Sequence, residues 1–230
     1  MGGNEEDHIK KKGANDLEKD KREVTSSVTH LAGAVLAAAG TLHLSVNAFA
    51  CGAAAFASVL IFGVSMVLLY LASSIYHWSC AVRAQAAGML QRLDHMAIFM
   101  LIAGTYTPIC VIMLGYPIGY IMLALVWSVA ALGFVMKIFW MHAPVWLSCS
   151  LYVAMGWIAA FFIVPIMHAL SWGSLAWLAA GGLLYTAGAV IFGLERPRLN
   201  FSWFGPHELF HLFVMGGSVC HFITIWNCVA

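Results

Sequence analysis

Charge is scarce in this sequence. Of its 230 residues only 9% are Asp, Glu, Lys or Arg, against 62% that are hydrophobic, and the mean hydropathy is +0.88. A soluble domain carries about 25% charged residues. A chain of this size has too little interior to hide so much apolar surface. That excludes a cytosolic enzyme, a nucleic-acid binder and a secreted disulfide scaffold. Paired cysteines are also missing: the six, at 51, 80, 110, 149, 220 and 228, include no C-x-x-C. A thiolate metal site and a redox dithiol are therefore excluded, and helix packing is the expected role. The first 23 residues lack the apolar core of a secretory signal. Glu6 stands where a myristoylation motif needs Ser or Thr.

The little charge there is sits unevenly. Residues 1–23 hold six Lys/Arg and seven Asp/Glu, and the rest of the chain holds only five and three. A polar tail, expected to lack regular structure, with Lys10 to Lys12 able to skim anionic lipid, precedes a membrane body. Spanning the hydrocarbon takes about 20 apolar residues as a helix. Seven runs qualify: 24–46, 52–76, 94–114, 117–136, 147–168, 172–192 and 207–228. Backbone groups in lipid must pair internally, so these are helices, and the fold class is an all-α seven-transmembrane-helix bundle. Pro108 and Pro165 fall inside spans three and five and are expected to kink them. With seven spans, every Lys and Arg lies in the tail or in the segments 77–93, 137–146 and 193–206, all on one side. The positive-inside bias puts the amino terminus in the cytoplasm and the carboxyl terminus outside. A multi-pass protein of the plasma (cell inner) membrane is expected.

An ionisable side chain within a span is expensive and is a functional candidate by default. Such groups come from four spans and gather at the cytoplasmic end. Span one enters with Glu23, Ser26 and His30; span two ends Ser73-Ser74-Ile75-Tyr76-His77; span three begins Asp94-His95; span seven begins His207-Glu208-Leu209-Phe210-His211. His207 and His211, four residues apart, share a helix face at about 6 Å along the axis, a spacing that suits two ligands of one metal. The string matches H-E-x-x-H, but the helix is apolar beyond His211, which argues against a protease in an aqueous cleft. His77 lies at the depth where a third ligand is needed. Ser73 is one turn away on the same face and can orient a ligand or substrate. Three histidines with a fourth position open to water is the catalytic zinc pattern, and Asp94 is placed to act as general base and then acid. The absence of cysteine from the cluster favours zinc, with iron or manganese as alternatives. His8, His43, His142 and His168 read as interfacial. His95, about 100° around the helix from Asp94, is expected to face elsewhere. His221 is about 15 Å beyond His211 and too deep to share the metal. Glu208 suits the first helical turn through the helix dipole.

These residues carry a resemblance over almost the whole membrane body. The stretches are EVTSSVTH at 23–30, SSIYH at 73–77, RLDHMAIFMLIAGTYTP at 92–108, MGW at 155–157, GGLLYTAGAVIF at 181–192 and HELFHLFVMGGSVCHF at 207–222. They resemble the haemolysin III family, the bacterial branch of the progestin and adipoQ receptor superfamily that includes the adiponectin receptors. The first motif departs from the family, which usually has Asn where Ser26 stands. The resemblance implies a seven-helix fold with a cytoplasmic amino terminus, Zn2+ held by His77, His207 and His211, and Asp94 beside a zinc-bound water. Relatives in the adiponectin-receptor branch hydrolyse the amide of ceramide. The haemolysin label implies cytolysis.

Three functions follow as expectations. The first is a zinc-dependent hydrolase of a lipid amide or ester, with Asp94 and Ser73 as catalytic groups and a membrane lipid as substrate. The second is a receptor in which zinc ties helices together. The third is a pore-forming cytolysin, which needs polar lining through the full membrane thickness; here the charged groups stop about halfway.

Overall fold

The computed structural model describes residues 3–197, 199 and 201–230, with side chains at residue 13 and from residue 16 onward. His8, Lys10 to Lys12 and Arg198, which the sequence reading used, have side chains outside the described residues. Eight α-helices follow one another: α1 (Gly3–Ala50), α2 (Ala53–Ala81), α3 (Ala87–Pro108), α4 (Ile118–Phe139), α5 (Val145–Gly156), α6 (Ile163–Ala169), α7 (Trp172–Leu194) and α8 (Pro206–Val229). A π-helical turn, Ile109–Leu114, extends α3, and a 3-10 stretch, Trp157–Phe162, joins α5 to α6. Seven helical units are long and apolar enough to cross a membrane. Among the described residues there is no strand.

The helical geometry changes beside both prolines. A proline has no N–H and its ring crowds the preceding turn. The helix widens to π geometry directly after Pro108 and tightens to 3-10 just before the turn that holds Pro165. Hydroxyl groups in the apolar spans are satisfied by their own helix. Thr41, Ser45, Thr105 and Thr107 each donate to the carbonyl four residues back, and Ser58 and Ser65 to the one three back. That bonding is what allows them at lipid depth.

Two expectations need correction. The tail is helical: α1 begins at Gly3 and runs unbroken into the first span. Lys, Glu and Ala are good helix formers and no proline interrupts them. Asp20 also meets Arg83 at 3.1 Å, and Arg22 donates to the Phe201 carbonyl, which holds the second half of the tail against neighbouring loops. The sequence places Lys137 first in the inter-span segment 137–146, yet it lies in the last turn of α4 and is 1% exposed.

α1, α2 and α3 pack side by side, α7 packs on α8, and α8 returns to α1. One apolar cluster joins α1, α2, α3 and α8 through Leu44, Val59, Phe62, Met66, Leu101 and Ile225. A second joins α3, α4 and the fifth and sixth helices through Phe99, Ala103, Met122, Val126, Met155 and Ile166. Close approach is needed at Gly63, where a Cβ would overlap the Thr41 side chain of α1. A cavity of about 710 Å³ touches both clusters, with Leu69 and Leu101 on one side and Tyr106, Met122 and Ile166 on the other.

Candidate metal centre

The antiparallel succession of spans determines where the site forms. α2 ends, α3 begins and α8 begins on the side from which α1 enters. His77 therefore comes from the end of α2, Asp94 from the start of α3, and His207 and His211 from the first two turns of α8. Among the described residues, one group of three His, Cys, Asp or Glu donors can hold a metal ion: His77, His207 and His211, with all three ligand atoms within 4.8 Å of one another. His77 and His211 are buried and His207 is half-buried.

The geometry suits a cation. His77 Nε2 and His207 Nε2 are 3.2 Å apart. Two imidazole nitrogens at about 2.0–2.1 Å from a tetrahedral zinc would lie about 3.3–3.4 Å apart. The opposite nitrogen of His77, Nδ1, is 2.7 Å from Glu23 Oε2. With Nδ1–H donating to that carboxylate, Nε2 presents its lone pair to His207. Carboxylate–histidine–metal chains use the same arrangement to set the tautomer and raise ligand basicity. His211 Nδ1 is buried and has no hydrogen-bond partner. Together these observations describe a donor set that could hold a metal ion.

The surroundings hold the three rings in place. His30 of α1 stacks on His211, with ring centroids 3.7 Å apart and planes 8° from parallel. Glu208, next to His207, is engaged elsewhere: its Oε2 accepts from the Gly205 N–H at 2.7 Å and its Oε1 from Ser26 Oγ at 3.0 Å. It caps its helix and ties it to α1, as a first-turn glutamate does. Ser26 thus does in this chain a job that a sequence pattern does not reveal.

Ser73, Asp94, His207 and His211 all line the large cavity, and Ser73 lies beside Asp94. The structure therefore brings together all five residues singled out in the sequence, His77 through its contacts with His207 and His211. His95 lines the same cavity, contrary to the expectation that it faces elsewhere: the cavity wraps far enough around α3 to reach both residues. His221 lies deeper on the same wall, stands apart from the triad, and packs against Gly181. His43, His142 and His168 are exposed, and His43 stacks on Trp226. Glu23 and His30 were visible in the sequence only as polar groups at the right depth. Their pairing with His77 and His211 depends on how α1 is rotated, which no spacing within α1 reveals.

The comparisons with known proteins agree with this architecture. The family model described as "Haemolysin-III related" matches residues 19–222. The chain is 36% identical over 206 residues to "Hemolysin-3" of Bacillus cereus, covering 89% of this chain and 90% of that protein. It is 35% identical over 211 residues to "Hemolysin-3 homolog" of Bacillus subtilis, covering 91% and 95%. A more distant relative is the human "Monocyte to macrophage differentiation factor", 25% identical over 170 residues, 73% of this chain and 68% of that protein. The human relative fits the wider progestin and adipoQ receptor superfamily. With seven apolar helices, a histidine triad where α2 meets α8, and a family match over nearly its whole length, the chain belongs to the haemolysin III family.

Proposed function

We propose that this protein is a zinc-dependent hydrolase of a lipid amide or ester, working at the cytoplasmic face of the plasma (cell inner) membrane. The observation that carries the reading is the pairing of two environments: a three-imidazole donor set braced by Glu23, and an apolar cavity that reaches His207, His211 and Asp94. A structural metal site needs no such cavity beside it.

His77, His207 and His211 would hold the ion. When bound there, zinc would supply Lewis-acid polarisation of a carbonyl and activation of water near neutral pH. The protein's own groups do the rest. Glu23 keeps the His77 proton on Nδ1 and the ring aimed inward. Asp94 accepts a proton from the attacking water and later returns it to the leaving amine or alkoxide. The Ser73 hydroxyl orients the Asp94 carboxylate or donates to the substrate oxygen. The cavity, within the about 300–1,000 Å³ range of small-ligand sites, takes the acyl chain and keeps bulk water out. Trp157, Ile163 and Leu183 on its wall are also exposed, which suits entry from the lipid.

A receptor with a structural metal is the second reading. It is favoured by the way the site ties α1, α2 and α8 together through the Glu23–His77 and Ser26–Glu208 contacts. The printed names of the Bacillus relatives point to cytolysis, but the charged groups of the spans cluster at one end and the cavity wall is mostly apolar, so no polar path supports a pore. Turnover of ceramide and related acyl lipids by purified protein, with and without chelator, tests the first reading. Chelator-sensitive turnover that falls to background in Asp94→Asn supports it. Turnover that survives metal removal, or wild-type turnover in Asp94→Asn, contradicts it.

A further inference from the structure

Among the described residues, Lys137 is the one Lys or Arg on the cavity wall, which also carries six histidines, and Asp94 the one Asp or Glu. No ion pair joins them: the described ion pairs are His77–Glu23 and Arg83–Asp20. Lys137 Nζ donates to Ser148 Oγ of α5 at 2.7 Å. An ammonium has three donors, so two remain beyond that neutral hydroxyl. Lysines near the ends of membrane helices ordinarily extend their heads into water. Lys137 does the opposite. It is 1% exposed and turned into the bundle, toward α5 and the cavity. Its place in the last turn of α4 gives it some help from the helix dipole, but a dipole does not replace a counter-charge in a low-dielectric interior.

Three other carboxylates on this side of the protein are engaged. Glu23 faces His77, Glu208 caps α8, and Asp20 meets Arg83. A buried cation with spare donors on the wall of a mostly apolar cavity is arranged for an anion that arrives attached to an apolar body. We propose that Lys137, with Ser148 beside it, binds the oxyanion of the lipid that enters this cavity, so that the protein selects acyl lipids with an anionic headgroup, phosphate or carboxylate, over neutral ones. The proposal names the substrate class for the hydrolase reading above and rests on it for the reaction, but not for binding. Lys137 acts as a specificity residue. Its ammonium replaces the water around the headgroup oxyanion with charge-assisted hydrogen bonds, while the cavity takes the chain.

Binding to the full-length protein in neutral detergent tests this with three single-chain probes that share an oleoyl chain: lysophosphatidate, oleate and the uncharged monoacylglycerol. The wild type should bind at least one anionic probe about tenfold or more tighter than the monoacylglycerol, the worth of one hydrogen bond to a charged group. Lys137→Met should erase that preference and leave monoacylglycerol binding unchanged. Lys137→Gln serves as a second neutral variant should the first not fold, and Lys137→Arg should keep the preference. The anionic probe that loses more affinity in Lys137→Met identifies the headgroup. No preference in the wild type, or the same preference in both neutral variants, would overturn the proposal. Displacement of the bound probe by millimolar inorganic phosphate alone would overturn the assignment to a lipid. His211→Ala, which removes a metal ligand, should hydrolyse nothing yet keep the preference. Loss of hydrolysis therefore bears on the hydrolase reading, and loss of preference in the Lys137 variants on this one.

Discussion

Two buried ionisable places share one cavity and are built in opposite ways. At the junction of α2 and α8 two of the titratable groups are partnered, His77 by Glu23 and Glu208 by Ser26 and the Gly205 N–H, while His211 stacks on His30 and keeps its Nδ1 free for a ligand. On the α4–α5 side Lys137 has only a hydroxyl. The first place is preorganised: its rings are held close together by Glu23 and His30, which stand outside the triad. The second is incomplete, with donors and no counter-charge. An account that gives the first a resident cation and the second a visiting anion explains why one cavity reaches both.

That contrast can be broken, beginning where the effect is largest. His207→Ala should reduce lipid hydrolysis to background and weaken metal binding by more than about a hundredfold, beyond what loss of a supporting residue costs. Metal titration of the purified variant checks it. Asp94→Asn should keep the metal and lower kcat by about 10²–10⁴-fold, the usual worth of a positioned general base; equal loss of metal would make Asp94 a ligand instead. Glu23→Gln should keep activity at saturating metal and weaken metal affinity by about 10–100-fold, read by competition with a chelator of known affinity. Lys137→Met should be the mildest for folding. Replacing a buried charge that lacks a counter-ion with an apolar chain of similar length removes an uncompensated desolvation cost, so thermal unfolding should occur at the same or a higher temperature. A marked fall in Tm would show that Lys137 is already paired within the fold and would erase the contrast.

Much of the architecture was legible in the sequence because lipid imposes simple rules. Run length found all seven spans, and Pro108 and Pro165 marked the two irregular stretches. The histidine triad was legible because four-residue spacing and common depth are properties of single helices. What was hidden depended on relations between helices. Glu23 could be placed at the right depth but not aimed at His77. His95 was turned away from Asp94 by helical rotation, yet a wide cavity wraps far enough around α3 to reach both. Lys137 counts toward the positive-inside bias of the segment 137–146, and a bias averaged over loops cannot recognise the lysine that turns inward. The tail was read as irregular from composition alone, which ignores the Asp20–Arg83 and Arg22–Phe201 contacts that hold its second half in place.

His77, His207 and His211 should share one ion. Elemental analysis of protein purified without chelator tests it most directly, comparing the wild type with His211→Ala. The account predicts close to one zinc per chain in the wild type and almost none in the variant. A wild type without metal, or a His211→Ala protein that keeps its full complement, would contradict it.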